Sequence, residues 1–565
     1  MENYSHTHAS ENNGLRVVHI DDLSAPATLQ PDEQESYQRR FSTFFIDEGR
    51  CREGGLGRVF FGKNAWGEPL AIKVMDDSLA PSDKQERNPA AEAFQREYET
   101  MRSLSGVRGF PRLYGMGLFE GRNAIIMEWI EGETLATAIR HLSIDDERRL
   151  SPLTAAQLGR DLFALLARME IIEDGIVHRD ISTSNIMIDT STRSLDEQAE
   201  AGRFDLRLVD FGSAILPARS SSLTQRYGTP RGATPDFAPP EMLTEDIANI
   251  SAMRKKPAVD VYAAASVLYL LLGGHAPFDF EGKDDRTRSY YLMKTEDLPG
   301  KLRGVHEVTT SINATLEHEP QTAAFVRAAL KETGAQPSGE KIAAALSAVD
   351  GQLTDMVFAC LDPVQEYRPL AAEMQESLEH FVDSYGENVK SALEEQPLML
   401  CTSRAFERRA RSANTQRTRR WNLGAYAVGA ILLLATSIAT AMLAGSIPVT
   451  FTLGPIQWSG RLNGWVVGML LWVPALFGCV ARLATRKRRS SLVWTGGCIA
   501  TTALVLLAAI LLTSFAPPAT LWLMIGAVAI SATVSWCVIS FDVILDREHP
   551  TPIGKSPNHT IEARE

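Results

Sequence analysis

Apolar positions along this chain fall into two regimes. Up to about residue 400 they alternate with polar ones at strand and helix periods, and beyond that they gather into long unbroken runs. In the first regime Phe44-Phe45-Ile46 and Val59-Phe60-Phe61 predict strands that bracket the turn Arg52-Glu53-Gly54-Gly55-Leu56-Gly57-Arg58. Ala71-Ile72-Lys73-Val74 predicts a third strand. Asn88-Pro89 opens a helix with Phe94, Tyr98 and Met101 on one face and Glu97 beside that face. The largely apolar stretch 124–130 reads as a strand ending in Glu131-Gly132, a connector between a small strand-rich lobe and a larger helical one. Leu158, Leu162, Leu165, Leu166 and Met169 mark a helix of the larger lobe. Apolar runs at 175–177, 186–188 and 206–209 predict buried strands, each meeting a loop. The stretch between Asp189 and Arg203 reads as a surface insertion in a strand pair.

In the second regime four runs, near 423–445, 464–484, 492–515 and 520–545, are each long enough to cross a hydrocarbon core of about 30 Å as helix. Trp421, Trp465, Trp494 and Trp522 sit at or near run ends, where an aromatic belt places them. Arg404, Arg408, Arg409, Arg411, Arg417, Arg419 and Arg420 crowd the approach to the first run, and Arg482, Arg486, Lys487, Arg488 and Arg489 the second connector. The first loop has Arg461 alone and the third connector no basic residue, so the expected topology is multi-pass in the cell membrane with both termini cytoplasmic. The external loops are too short to fold as a ligand-binding domain. Few charges lie inside the runs, which lowers a channel or transporter reading.

Charge and cysteine usage narrow the classes further. A net charge of −12 argues against nucleic acid as a partner, since a phosphate-binding surface shows as a basic excess over a whole domain. The six cysteines are scattered singly without metal-ligand spacing and read as reduced structural thiols. The first 40 residues carry neither a positively charged start nor an apolar run of secretory type. The expected organisation is a disordered polar leader (1–40), a catalytic domain (41–385), a basic juxtamembrane linker (386–422), the four spans (423–545) and a cytosolic tail (546–565).

The chemistry-bearing residues lie on His178-Arg179-Asp180-Ile181-Ser182-Thr183-Ser184-Asn185 and on Asp210-Phe211-Gly212 downstream. An Asp and an Asn five residues apart on one short loop, with a second Asp behind, can place a hydroxyl acceptor beside two metal-binding groups on one phosphate. The glycine-rich turn can close bare backbone over phosphates, Lys73 can hold the first two of them, and Glu97 can reach Lys73.

Taken in order, Gly54/Gly57, Lys73, Glu97, His178-Arg179-Asp180, Asn185, Asp210-Phe211-Gly212, Pro239-Pro240-Glu241, Asp260 and Arg368 resemble a eukaryotic-like protein kinase domain of the Ser/Thr class. The resemblance implies an α+β, bilobal fold, here followed by an all-α membrane domain of four transmembrane helices. It implies ATP and Mg2+ as cofactors, Asp180 as acceptor of the substrate hydroxyl proton with Lys73 and Glu97 beside it, and Asn185 and Asp210 as metal ligands. Nucleotide contacts are expected from Gly54, Gly55, Gly57, Val59, Ala71, Lys73, Met127, Glu128 and Ile130, with adenine against the connector backbone. A Glu241–Arg368 ion pair and Asp260 under the catalytic loop are expected structural parts. The expected function is a membrane-anchored kinase that phosphorylates Ser/Thr hydroxyls of proteins, itself included. The competing expectation is a catalytically weak or dead nucleotide-binding scaffold. Expected partners are protein substrates, the lipid bilayer and a second copy of the chain.

Departures from the family pattern matter as well. Arg52 replaces the first glycine of the phosphate loop, and Pro239 replaces an alanine. Ser182 stands where Ser/Thr kinases usually carry a lysine that touches the transferred phosphate. The stretch 279–347 is longer and more polar than usual, which points to specialised substrate docking. Ser220, Ser221, Ser222, Thr224, Tyr227 and Thr229 lie in a loop that a phosphate paired with Arg179 can order, while Thr234 falls on the acceptor-site wall.

Overall fold

The computed structural model describes residues 15–24, 30–54, 57–76, 89–172, 175–215, 234–244, 250–280, 289–308, 312–334 and 336–409; beyond them it describes the backbone of 446–453 and 456–463 and helical residues 431, 434, 435, 438 and 503. The chain divides into two compact units, Met1–Ala410 and Arg411–Glu565.

In the first unit, β2 (Thr43–Gly54), β3 (Gly57–Asn64), β4 (Pro69–Met75), β5 (Leu113–Phe119) and β6 (Arg122–Glu128) pair antiparallel in the order β2-β3-β4-β6-β5. A sixth strand, β1 (Leu15–Asp21), closes this sheet into a barrel: Val17 pairs with Phe45 of β2 and Ile20 with Phe119 of β5. Val18 and Ile20 point inward onto Phe44, Ile46, Ile72, Phe119 and Ile126, while Val17 and His19 face outward.

The leader is therefore not disordered throughout. After β1, α1 (Pro31–Phe41) starts with proline in its first turn, acidic Asp32 and Glu33 behind it and Arg39 and Arg40 at its end, each sign matching the helix dipole. Phe41 stacks on Tyr114 at 4.6 Å, Tyr37 donates its hydroxyl to the Tyr114 carbonyl, and Arg40 pairs with Glu68. These two elements bury their few apolar side chains against a lobe far away in sequence, so no local periodicity marks them.

The helical lobe is built around Ala258–Gly273, which is apolar on nearly every side and buried almost throughout. The helices Pro152–Ile171 (α4), Gly339–Cys360 and Ala371–Leu393 pack with it into one core. Gly339–Cys360 is the one helix among the described residues long and apolar enough to cross a membrane, but half of that stretch is buried in this lobe, with Leu346, Val349, Leu353 and Met356 inward; it is a core helix. The predicted insertion between β8 (Ile186–Asp189) and β9 (Leu206–Leu208) holds a helix, α5 (Leu195–Ala201), started by a Ser194/Glu197 capping box and stopped by Gly202 at φ 62°.

The lobe also outlasts its expected boundary at 385. Ala371–Leu393 runs on past Tyr385, and the chain then folds back onto it: Met399 exchanges hydrogen bonds with Asn388, the Cys401 N–H donates to Gln352 at 3.0 Å, and Ser403 and Phe406 are buried. The first half of the expected linker 386–422 thus belongs to the first unit.

In the second unit the described backbone forms a β-hairpin, Ser446–Leu453 against Ile456–Asn463, with Phe451 opposite Trp458. It occupies the loop expected between the first two runs, so the all-α expectation fails there. The four expected spans lie outside the described residues, apart from a few helical positions.

Candidate functional site

The site forms where β3, β4, α2 (Pro89–Leu104) and the loops around β8 and β9 meet. The register puts Val59 opposite Lys73, and Ala71 opposite both Phe61 and Met127, so four of the expected nucleotide-contacting residues stand on three neighbouring strands. Glu128 ends β6 and its N–H donates to the Arg112 carbonyl, while Ile130 is buried just beyond. In the glycine-rich turn Gly54 pairs with Gly57; a Cβ on Gly57 would stand 2.0 Å from the Val74 carbonyl oxygen, so only glycine fits that close crossing. Gly55 lies outside the described residues.

Lys73 Nζ lies 2.6 Å from Glu97 on α2 and 2.9 Å from Asp210, and both Lys73 and Glu97 are buried. Burial disfavours the Lys73 ammonium, but the two carboxylates outweigh it and hold its pKa above the usual range. Burial alone would likewise raise Asp210; Lys73 reverses that and keeps it ionised.

The loop before β8 is held from below. Asp260, on the central helix, accepts the backbone N–H groups of His178 at 2.7 Å and Arg179 at 2.8 Å. Burial pushes the Asp260 carboxyl up to about 7, against those two bonds. Arg179 at φ 68° and Asp210 at φ 63° are non-glycine residues in the left-handed region, both beside the proposed chemistry. His178 is driven down to about 4 by burial, so its neutral ring donates Nε2–H to the Val209 carbonyl at 3.2 Å and packs on Phe211.

Asp180 accepts from the Asn185 amide at 3.0 Å; burial and then the Asp210 charge raise its pKa to about 6, with Asn185 and the Thr234 backbone N–H opposing. The Asn185 amide nitrogen is committed to Asp180, which leaves its oxygen as an acceptor; an amide oxygen and the Asp210 carboxylate are hard donors of the kind that suits Mg2+. Among the described residues there is no group of three or more His, Cys, Asp or Glu that could hold a metal ion.

Glu241 and Arg368 form the expected ion pair, two-pronged at 2.6 and 2.9 Å and fully buried. Sequence reasoning missed Gln365, which donates to Glu241 at 3.0 Å, and Arg254, which donates to the Glu241 and Thr244 carbonyls. Neither residue belongs to a recognisable motif. Ser182 is buried, and Thr234 is exposed. Residues 216–233, which include the hydroxyl-rich loop, lie outside the described residues.

The protein kinase domain model matches residues 49–379, well over half of the chain. The chain is similar to the serine/threonine-protein kinase PkaB of Streptomyces coelicolor, 30% identical over 252 residues that make up 44% of this chain and 52% of that protein. It is also similar to the serine/threonine-protein kinase pkn2 of Myxococcus xanthus, at 32% over 40% of this chain and 24% of that protein, and to the probable serine/threonine-protein kinase PknB of Lactococcus lactis, at 28% over 40% and 31%. The matches thus span about half of these relatives' length or less. The chain belongs to the protein kinase family.

Proposed function

We propose that this chain is an ATP-dependent protein serine/threonine kinase held at the cell membrane by its C-terminal unit. The observation that carries the reading is the closed Lys73–Glu97–Asp210 cluster standing beside the Asp180–Asn185 pair, since a kinase needs both together for transfer. Lys73 would anchor the inner phosphates of ATP, and Asn185 and Asp210 would hold Mg2+, whose charge would offset that of the phosphates. Asp180 accepts the hydroxyl proton of the protein acceptor. Its carboxylate must be ionised to do so, and with a pKa raised to about 6 the transfer rate should rise with pH through about 6 and level off above it. A kcat/KM profile flat down to pH 4 would remove Asp180 as the base.

Four apolar runs, the crowded arginines before them, and exposed Ile431, Leu434 and Ile438 at the spacing of one helix face support membrane anchoring. Incubating the full chain with labelled ATP, Mg2+ and a generic protein acceptor tests the whole reading: the chain should sediment with membranes and transfer label to Ser/Thr, including its own.

One observation favours a nucleotide-binding scaffold instead, namely Ser182 in place of a phosphate-contacting lysine. Losing one positioned cation costs about 10²- to 10³-fold in rate, which slows a kinase without stopping it. Ser182→Lys is therefore expected to raise the rate, and its burial sets the limit on how far the longer side chain can reach the cleft. Binding of ATP with no transfer to any acceptor would establish the scaffold.

A further inference from the structure

Lys294 lies on the short helix Tyr290–Glu296, inside the long polar stretch that follows Pro277-Phe278. A lysine on such a helix normally faces water. This one is 1% exposed. Its ammonium donates to three backbone carbonyls, those of Pro235 at 2.6 Å, Ala238 at 2.7 Å and Asp236 at 3.3 Å. It also sits 5.3 Å from the ring centre of Tyr262, 5.5 Å from Phe278 and 5.6 Å from Phe280. An ammonium has three N–H bonds and no lone pair, so three carbonyls use it fully, and three ring faces add attraction where water is excluded. Burial lowers its pKa to about 7; Asp236 and Glu241 oppose that, and the Arg368 charge adds to it.

The segment it grips lies directly beside the chemistry. Thr234, one residue before Pro235, gives its backbone N–H to the Asp180 carboxylate. The Thr234 carbonyl in turn accepts the N–H groups of Phe237 and Ala238, each at 3.0 Å, which makes 234–238 one tight turn. One end of that turn touches Asp180, and its Pro235, Asp236 and Ala238 carbonyls accept from Lys294. Within the turn Phe237 and Ala238 are buried, while Thr234 is exposed and Pro235 and Asp236 are half-buried.

We infer that Lys294 is a positioning residue for the protein acceptor: its ammonium locks the 234–238 turn, which walls the acceptor site and presents the Thr234 N–H to Asp180. The inference rests on the kinase reading above, and it gives the long polar stretch a specific task. That stretch supplies a buried cation that ties the acceptor wall to the helical lobe. A lysine serving merely as a fold anchor would affect nucleotide and acceptor handling alike. A positioning lysine separates them.

The test uses the full chain with Lys294→Met, which keeps the length and the apolar stem but strands three buried carbonyls. Leaving such acceptors unpaired should raise the KM for a protein acceptor about tenfold or more, with kcat falling less and the nucleotide Kd unchanged. Amide hydrogen exchange of residues 234–238 should accelerate in the same variant. Phe280→Leu, which removes one ring at the half-exposed rim, should move acceptor KM and exchange in the same direction by less; it decides the matter if Lys294→Met does not fold. Unchanged exchange at 234–238 with unchanged acceptor KM overturns the inference, and so does a loss that strikes nucleotide binding and acceptor KM equally. If the wild-type chain transfers no phosphate, the kinase reading falls, and the exchange rates alone still decide whether Lys294 holds the turn.

Discussion

Asp180→Asn is expected to lower phosphate transfer by about 10²- to 10⁴-fold, the usual contribution of a positioned general base, while thermal stability stays within about 1 kcal/mol of wild type. Asparagine keeps the shape of the side chain, and its oxygen can still accept the Asn185 amide and the Thr234 N–H that Asp180 holds now. What it cannot do is take a proton. It also removes a charge that burial and Asp210 already disfavour, so the folded state loses nothing electrostatically. Single-turnover transfer of labelled phosphate, with a melting curve run in parallel, separates the two effects. Full transfer by a normally folded variant would take Asp180 out of the mechanism. Lys73→Met is a less clean probe. It strips the cation from between Glu97 and Asp210 and leaves the buried Glu97 carboxylate without its partner, so lost activity and lost stability arrive together.

The largest stability effect is expected at Arg368→Ala. Its guanidinium meets both oxygens of Glu241, donates Nε–H to the Asp362 carbonyl at 2.8 Å and reaches the Ala258 carbonyl at the start of the central helix at 3.0 Å. Removing it leaves a buried carboxylate whose remaining side-chain donor is Gln365, and takes a donor from the Ala258, Asp362 and Pro363 carbonyls. Breaking a buried pair in this way costs about 3–5 kcal/mol, which should appear as a clear fall in Tm. Glu241→Gln alone should be nearly as harmful, because it leaves the guanidinium buried and half-paired. The double substitution Glu241→Gln with Arg368→Met should recover part of the loss, since no lone charge stays inside. A single variant that melts with the wild type would mean that the pair contributes nothing to the fold.

The candidate catalytic set was legible because its parts follow a fixed order with strands between them, and each strand carries a run such as Ala71-Ile72-Lys73-Val74 that needs no partner to be recognised. Buried charges were legible only inside that order. Glu241 and Arg368 announced each other through their motifs, whereas Lys294 on a polar helix looks like any solvated lysine until three carbonyls and three rings are seen around it. The strand β1 and the helix α1 escaped for a related reason. Their inward residues Val18, Ile20, Tyr37 and Phe41 are too few to make a pattern, and what stabilises them is a sheet edge supplied by distant strands. The return of Met399 to Phe406 onto the closing helix rests on side-chain amides of Gln352 and Asn388, which composition reads as ordinary surface polarity. The hairpin at 446–463 sat between two apolar runs, where loop length alone guided the reading.

The barrel closed by β1 governs how copies of this protein can stick together. An open sheet ends in rows of unshared N–H and C=O groups, and such a margin is a template onto which a neighbour's strand can zip. Wherever chains crowd together, that is the ordinary route to accidental fusion. With β1 bonded to β2 on one side and β5 on the other, the small lobe offers a neighbour no such margin along those pairings. Along those pairings a neighbouring copy meets side chains rather than open backbone, so contact there is open to tuning one substitution at a time.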